Sequence, residues 1–334
     1  MTVALSLDEV ETLTWRALTA SGTSEANARP VTASVVDSEA EGIHSHGLAR
    51  LPTYCEHVRC GKVDGQAEPA VAASGPAFVT VDARDGFAHP AIDLGLERLP
   101  ELAREAGLAA LAVTNSYNCG VCGYHVRRIA EAGLLALGFV NAPASIAPWG
   151  GRAPVFGTNP LSCAVPRQNA PPLVIDQSSS VVARSEVIVH AQRGEPIPEG
   201  WALDSDGQVT TDPEAALAGS MVPAGGYKGA GIALIVELLA AVLTGAQLSI
   251  EASSFADNKG GPPRTGQLFL ALDPARIGGP GFLDRLERLC GAILAQDGTR
   301  LPGDGRAAAR LRTAREGVTI AAALHERLLG YCEA

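Results

Sequence analysis

Apolar residues recur at helical spacing through the first part of the chain. Ser6 and Glu9 form a capping box, which predicts a helix that runs from there to about Ser21. A second helix is predicted to open at Ser24, with apolar positions at 26, 31, 35, 36 and 40. Gly42 is suited to end this helix, so the polar residues that follow it are expected in a loop, where side chains can project into a cleft.

From residue 78 onward, short apolar runs alternate with helical patterns. Strands are predicted at residues 78–81, 108–114, 134–140, 173–176 and 267–272. Helices are predicted at 90–106, 124–132, 229–246 and through much of the C-terminal region. Pro100 would kink or break the first of these helices, and residues 196–213 are expected to form an extended surface excursion. This alternation of strands and helices is typical of the α/β class.

Composition and charge exclude several classes of protein. A formal net charge of −10 argues against a nucleic-acid partner, which would require a concentrated basic face. The apolar segment 229–246 contains Glu237 and is too short to span a bilayer comfortably. The N-terminus lacks the basic and apolar segments of a signal peptide. These features predict a soluble cytoplasmic protein without a membrane partner.

The cysteines point to the same compartment. Their number, 7, is odd and their spacing is irregular, as expected of free thiols in a reducing environment. Cys119 and Cys122 are the exception, because a C-x-x-C pair can be a redox motif or half of a zinc site. No second pair with ligand spacing accompanies them, so two unreactive thiols are the favoured interpretation and no metal site is predicted.

The strongest chemical cluster lies directly after Gly42. His44, Ser45, His46 and Arg50 place two imidazoles, a hydroxyl and a guanidinium within seven residues. An enzyme that acts on a small carboxylate at neutral pH needs a proton donor and a planar, two-pronged carboxylate clamp, which His and Arg supply. Cations that merely stabilise the end of a helix are an equally weighted alternative.

Three polar loops are further candidates. Gly226, Tyr227, Lys228 and Gly229 open the apolar helix, and helix N-termini attract phosphate or carboxylate groups. Serines 178–180 and the stretch 115–120 each follow a predicted strand, where a sheet meets its ligands. A surface lysine and a flexible serine loop are the simpler alternatives. The chain has no G-x-G-x-x-G sequence, so a Rossmann fingerprint is excluded.

Taken together, these stretches resemble the type 2 malate/L-lactate dehydrogenase-like oxidoreductases over nearly the whole chain. That family includes sulfolactate and ureidoglycolate dehydrogenases and the Δ1-piperideine-2-carboxylate/Δ1-pyrroline-2-carboxylate reductases. The matching segments are residues 44–54, 147–151, 156–160, 200–204, 210–213, 225–229, 243–246 and 301–304.

The resemblance implies an α/β fold with a mixed sheet that binds NADP or NAD without a Rossmann fingerprint, usually in a homodimer. It implies a discontinuous division, with residues 1–75 and 275–334 forming a helical lobe and residues 76–274 forming an α/β region for cofactor binding and dimerisation. By matching position, His46 is the proton donor, Ser45 its hydrogen-bonded partner and Arg50 the carboxylate clamp. The remaining implied contacts are Tyr54 and Thr158 for the substrate, and Asn118, Cys119, Gly120, Ser178, Ser179, Ser180, Tyr227, Lys228 and Arg306 for the cofactor.

Two positions depart from the family pattern. Asn118 stands where many members carry a histidine, and an amide cannot shuttle protons, which leaves that role to His46, with His125 a distant substitute. Glu186 falls where the cyclic-imine reductases have Asp and many 2-hydroxyacid dehydrogenases have Lys. Its carboxylate is predicted to orient the Ser45–His46 pair or to steady an iminium, and a plain surface glutamate is an equally weighted alternative.

The sequence therefore predicts an NAD(P)H-dependent oxidoreductase that transfers a hydride to C2 of a small 2-oxo acid or its cyclic imine. Glu186 favours the imine, whereas the stretch from Asn118 to Gly123 is more similar to the sulfolactate enzymes, and both substrate classes stay open. A catalytically lapsed protein that binds nicotinamide or a small acid is the main alternative. A thiol-redox or zinc protein is the weaker one.

Overall fold

The computed structural model describes residues 1–333, which form one large mixed sheet, two smaller sheets and the helices around them. The strands are β1 (Thr2–Leu5), β2 (Ala70–Gly75), β3 (Phe78–Asp82), β4 (Leu108–Ser116), β5 (Leu135–Val140), β6 (Leu161–Val165), β7 (Leu173–Gln177), β8 (Ala202–Leu203), β9 (Val209–Thr210), β10 (Ser220–Met221), β11 (Thr265–Leu272) and β12 (Val318–Ala321).

The helices are α1 (Leu7–Ala20), α2 (Glu25–Ala40), α3 (Leu51–Arg59), α4 (Ala88–Leu96), α5 (Leu99–Ala106), α6 (Cys122–Glu131), α7 (Arg184–Arg193), α8 (Pro213–Ala218), α9 (Tyr227–Glu237), α10 (Pro274–Gly278), α11 (Phe282–Leu294), α12 (Asp304–Glu316) and α13 (Ala322–Cys332). A 3₁₀ turn (His44–His46) connects α2 to α3, and a π-helical segment (Leu238–Val242) extends α9.

The predicted α/β architecture with a mixed sheet is confirmed. The large sheet has seven strands in the order β2-β3-β4-β11-β5-β6-β7. Only β3 and β4 are parallel, and α4 and α5 form the crossover between them. All other neighbouring pairs are antiparallel, so the sheet differs from the all-parallel sheet of a Rossmann domain.

Two apolar cores flank the region where the candidate residues lie. One packs α4, α5 and α6 against the large sheet around Leu111, Val113 and Phe269. The other joins α1, α2, α3 and α13 and includes Tyr54 and Tyr117. Because Tyr117 directly follows β4 while Tyr54 lies on α3, this second core ties the helical region to the end of a sheet strand.

Local sequence signals correctly placed several of these elements. The capping box at Ser6 is present, with both reciprocal hydrogen bonds, and Ser24 caps α2. The chain breaks between α4 and α5 just before Pro100, because proline suits the first turn of a helix better than its interior. Gly42 has a φ of +74°, the left-handed conformation that ends a helix.

One prediction was wrong. Residues 196–213 do not form an extended excursion, since they contribute β8 and β9 to a three-stranded sheet with β10. These strands have two residues each and enclose a small apolar core around Ile197, Ala202 and Met221. Strands this short have no periodicity that a sequence can reveal.

The predicted division into lobes stays a prediction. Residues 70–75 belong to the predicted helical lobe, yet they form β2, which pairs with β3 in the large sheet. No helix within residues 1–333 combines the length and the apolar character that crossing a bilayer requires.

Candidate active site

The turn that carries His46 is built on a buried glutamate. The Glu39 carboxylate, on the last turn of α2, accepts hydrogen bonds from the Leu48 backbone N–H at 2.7 Å and from His44 Nδ1 at 2.6 Å. Gly47 packs directly against this carboxylate, since a Cβ at position 47 would lie 2.1 Å from Glu39 Oε1. The His-Ser-His-Gly sequence is therefore shaped by Glu39, which sequence reasoning missed.

His46 lies partly buried beside Ser45, whose Oγ is 3.1 Å from His46 Nδ1. Burial lowers the pKa of His46 to about 4, and the positive charges of Arg50 and Arg306 act in the same direction. The imidazole of the free protein is therefore neutral at pH 7. In that state it can accept a proton, and anionic ligands next to the two arginines would raise its pKa.

Arg50 occupies an aromatic pocket at the start of α3. Its Cζ lies 5.9 Å from the centre of the Tyr54 ring and 5.7 Å from that of Phe255. Tyr117 contacts both rings edge-to-face, at centroid distances of 5.8 Å from Tyr54 and 5.3 Å from Phe255. An arginine between apolar walls interacts more strongly with a carboxylate than it would in water.

Asn118 joins this pocket as a hydrogen-bond acceptor. Its Oδ1 accepts from the Tyr54 hydroxyl at 3.0 Å and from the Gly120 backbone N–H at 2.7 Å. His125 does not replace the family histidine, because it is fully buried and bonded through Nε2 to the Cys119 carbonyl at 2.8 Å. His46 is thus the imidazole in this region that is both accessible and close to Arg50.

The serine loop begins where β7 ends. Ser179 donates its backbone N–H to the Thr158 carbonyl at 2.8 Å and accepts at its own carbonyl from Ala224 N at 2.9 Å. Beside it lies a cavity of about 320 Å³. The cavity is lined by Leu161, Gln177, Ser178, Ser179, Ser180, Val181, Val182, Ala183, Ala224, Gly229 and Ile232. Thr158 and the three serines are therefore brought together.

The start of α9 borders the same cavity. Gly225 and Gly226 each have a φ of +68°, and a Cβ at Gly229 would lie 2.0 Å from the Ala224 carbonyl oxygen. Glycine is thus required for this close turn into the helix. Tyr227 and Lys228 lie exposed on the first turn, where free backbone N–H groups and the lysine charge suit a phosphate group. This set of N–H groups and the lysine charge fits a phosphorylated cofactor, whereas the hydroxyls of Ser179 and Ser180 donate to the Asn159 and Val182 carbonyls.

Arg306, on α12, connects the two groups of residues. Its Nη1 lies 3.3 Å from Asp176 Oδ2, two residues before Ser178, while its charge also acts on His46. Burial raises the pKa of Asp176, and Arg306 opposes this effect. Asp176 was also missed at the level of sequence, since its importance depends on a contact with a residue 130 positions away.

Glu186 makes no hydrogen bond to the Ser45–His46 pair that it is predicted to orient, within the part of the chain that the structure describes. It lies exposed on α7, and its carboxylate makes no hydrogen bond or ion pair with any residue in the range 1–333. Its predicted role stays a prediction.

The cysteine pair has the properties of structural thiols. Cys119 and Cys122 are buried, and burial raises the pKa of both, that of Cys119 to about 12. A reactive thiol needs the opposite shift, so the thiol-redox alternative loses its support. Across residues 1–333, no cluster of three or more His, Cys, Asp or Glu side chains is arranged to hold a metal.

Comparison with known proteins gives matches over almost the full length. The family described as malate/L-lactate dehydrogenase matches residues 5–329. A (2R)-3-sulfolactate dehydrogenase (NADP(+)) of Chromohalobacter salexigens is 48% identical over 331 residues, covering 99% of this chain and 98% of that protein. A Δ1-pyrroline-2-carboxylate reductase of Pseudomonas fluorescens is 41% identical and covers 98% of each chain.

Among solved structures, Δ1-piperideine-2-carboxylate reductase from Pseudomonas syringae superimposes with a TM-score of 0.93 at 38% identity. The match covers 98% of this chain and 99% of the reductase.

Proposed function

The chain belongs to the malate/L-lactate dehydrogenase family and is a nicotinamide-dependent oxidoreductase of small 2-oxo acids or cyclic imino acids; we propose that His46 is its proton donor and Arg50 its carboxylate clamp. The observation that carries the proposal is their juxtaposition. The guanidinium of Arg50, held between aromatic rings, lies close enough to His46 for its charge to lower the pKa of the imidazole.

Arg50 and His46 have different roles at C2 of the substrate. Arg50 binds the substrate carboxylate through two parallel N–H···O bonds and thereby fixes the position of C2. NADPH or NADH, when bound, supplies the hydride. His46 donates a proton to the oxygen or nitrogen on C2 during reduction and accepts it back during oxidation, while Ser45 holds the ring through Nδ1.

The cofactor is proposed to bind across the cavity beside the serine loop. Ser178 and Ser180 line it, the first turn of α9 presents backbone N–H donors there, and Lys228 adds a positive charge. Thr158, whose carbonyl accepts from Ser179 N, is assigned to the substrate. Cys119 and Gly120 are assigned to the cofactor side of the Asn118 loop.

As the principal substrate we propose the oxo acid of a 3-sulfolactate-type pair, with NADPH as reductant. The relative at 48% identity is named as an NADP-dependent sulfolactate dehydrogenase, whereas the imine reductase is 41% identical. Cyclic imino acids are the second candidate, which the match of TM-score 0.93 to a solved piperideine-carboxylate reductase favours.

The first prediction concerns the substrate, which an assay of NADPH and NADH absorbance tests. The compounds assayed are sulfopyruvate, Δ1-pyrroline-2-carboxylate, Δ1-piperideine-2-carboxylate, pyruvate and oxaloacetate. Sulfopyruvate with NADPH is expected to give the highest kcat/KM.

His46→Ala should lower kcat by roughly 10²–10⁴-fold, the usual contribution of a general acid. Arg50→Lys should raise the KM for the acid and leave the KM for NADPH unchanged, because lysine cannot bind a carboxylate in the bidentate manner.

Each other outcome has a distinct meaning. Turnover confined to the two imines would replace the first candidate with the second. NADPH binding without turnover of any of the five compounds would support a catalytically lapsed binding protein.

We also propose a homodimer in the cytoplasm. α9 and the π-helical segment leave an apolar face uncovered in the single chain, and buried thiols such as Cys55 suit a reducing compartment. The exposed apolar residues of this face are Tyr227, Leu234, Ile235, Leu238, Val242 and Leu243.

A further inference from the structure

The hydrogen-bond direction between His57 and Tyr117 is fixed by the chemistry of their partners. His57 Nε2 lies 3.0 Å from the Asp257 carbonyl oxygen, which can only accept, so Nε2 carries the proton. Burial lowers the pKa of His57 to about 4, hence the ring is neutral and Nδ1 is an acceptor. The Tyr117 hydroxyl, 2.6 Å from Nδ1, must therefore donate to it.

The direction of the Tyr54–Asn118 bond is fixed in the same way. The Gly120 backbone N–H can only donate, so the Asn118 atom 2.7 Å from it is the amide oxygen. The Tyr54 hydroxyl, 3.0 Å from that oxygen, must donate as well. Both tyrosines thus have their hydroxyl hydrogens committed and retain only oxygen lone pairs for a further partner.

Arg50 packs against the rings that these bonds anchor. Its Cζ lies 5.9 Å from the centre of the Tyr54 ring, and Tyr117 contacts both Tyr54 and Phe255, the two rings that flank the guanidinium. Burial raises the pKa of both tyrosine hydroxyls, that of Tyr54 to about 12, so both hydroxyls stay protonated and keep these bonds at neutral pH. Because the rings set the position of the guanidinium, its N–H donors stay available for a ligand.

The segment that carries Phe255, the other ring beside Arg50, is held by the buried Lys62. Lys62 has no exposed surface, and its Nζ donates to the carbonyl oxygens of Ser254 and Asp257, the latter at 2.9 Å. The Asp257 carbonyl thus accepts from both Lys62 and His57. Phe255, between these two anchored residues, lies against the other side of Arg50.

We propose that His57 and Asn118 are positioning residues, which hold the hydroxyls of Tyr117 and Tyr54 and thereby fix the aromatic walls that orient the Arg50 guanidinium for the substrate carboxylate. This inference rests on the proposed function of Arg50 as the clamp. It also gives a reason for the amide at position 118. An asparagine oxygen accepts from Tyr54 over the whole physiological pH range, whereas a histidine nitrogen loses its lone pair when it is protonated.

A double-mutant cycle between Tyr117 and Arg50 tests the proposal, with sulfopyruvate, or the best substrate of the five, as the probe. Tyr117→Phe is expected to raise the KM for the acid by about 10-fold, because it removes the hydrogen bond to His57 that fixes the ring beside the Arg50 pocket. Both kcat and the KM for NADPH should change by less than about 3-fold. In the Arg50→Met background, Tyr117→Phe should cause no further loss of kcat/KM.

The control is Tyr331→Phe, which removes another largely buried tyrosine hydroxyl, bonded to Glu56 at 2.5 Å. It should leave the KM for the acid unchanged. If Tyr117→Phe does not fold, the same cycle with Tyr54→Phe replaces it.

Two results would overturn the proposal, and they are distinguishable. An equal loss of kcat/KM from Tyr117→Phe in the Arg50 and Arg50→Met backgrounds would mean that the hydroxyl acts independently of the clamp. An unchanged KM in Arg50→Met itself would refute the proposed function of Arg50, and the positioning proposal with it.

Discussion

At the scale of single residues, the low pKa of His46 has a consequence for binding. The pKa is about 4 in the free protein because the ring is buried and because Arg50 and Arg306 lie nearby. A carboxylate on Arg50 and a cofactor phosphate near Arg306 would offset both charges and raise the pKa of His46. The imidazole should therefore take up a proton when the two ligands bind, in the pH window between the free and the bound pKa.

This proton uptake is the second prediction. With NADPH bound, titration with the unreactive analogue oxamate at pH 6 should show a binding enthalpy that depends on the ionisation enthalpy of the buffer, with an uptake of up to about one proton. His46→Asn should abolish the uptake. Equal enthalpies in all buffers would mean that His46 keeps its protonation state. Because His46, the proposed proton donor, must be protonated for reduction, kcat/KM for reduction should also fall as the pH rises.

Some site residues could be inferred from sequence and others could not. His46 and Arg50 are four positions apart in a distinctive local pattern, and the structure brings both to one pocket. His57 and Asp176 gave no such signal, because their partners Tyr117 and Arg306 lie 60 and 130 residues away. Residues that act through long-range contacts acquire meaning only from the fold.

At the scale of elements, the turn from α2 into α3 depends on one glycine. A Cβ at Gly47 would overlap the Glu39 carboxylate, which is bonded to Leu48 N and His44 and cannot move without releasing the turn. Gly47→Ala is expected to displace His46 and to destabilise the protein by about 1–3 kcal/mol, as overpacking usually does.

The third prediction follows from that contact. Gly47→Ala should lower kcat on the order of tenfold, because it displaces His46, the proposed proton donor. Glu39→Asp shortens the side chain that the new methyl group would overlap, so the double variant Glu39→Asp/Gly47→Ala should recover part of both kcat and stability. Urea unfolding and steady-state kinetics measure the two effects. A double variant worse than the sum of the single ones would contradict the steric account.

The elements themselves were predictable where the signal is local. The capping residue Ser6, the break before Pro100 and the apolar run of β4 each determine structure within a few residues. β1 and β12 were not predicted, although they pair along their full four-residue length. Their pairing joins the two ends of the chain, and short strands are stabilised by such partners rather than by their own pattern.

At the scale of the whole molecule, the α/β class followed from the alternation of strands and helices, but the strand order did not. β11 is inserted between β4 and β5, so a strand from late in the chain forms the centre of the sheet. Alternating patterns predict that strands consecutive in the sequence pair with each other, and the composition of β11 does not indicate a central position. Its nearly complete burial, including Gln267, is the result of that placement.

The uncovered apolar face of α9 and the π-helical segment leads to the last prediction. Its side chains remain well exposed in the single chain, 65% for Leu243 and 52% for Ile235, and exposed clusters of this kind usually mark a protein interface. Light scattering should give twice the chain mass of 34.3 kDa. Ile235→Glu should shift it to the single-chain mass, because a dimer would bury the new charge.

Leu311→Glu is the matched control, since Leu311 is 70% exposed and lies on α12, outside this face. It should leave the mass unchanged. The same helix that carries the face begins at Tyr227 and Lys228, so separation of the two chains should also weaken NADPH binding in Ile235→Glu. A wild-type protein of single-chain mass would refute the homodimer. A dimeric Ile235→Glu would place the interface elsewhere.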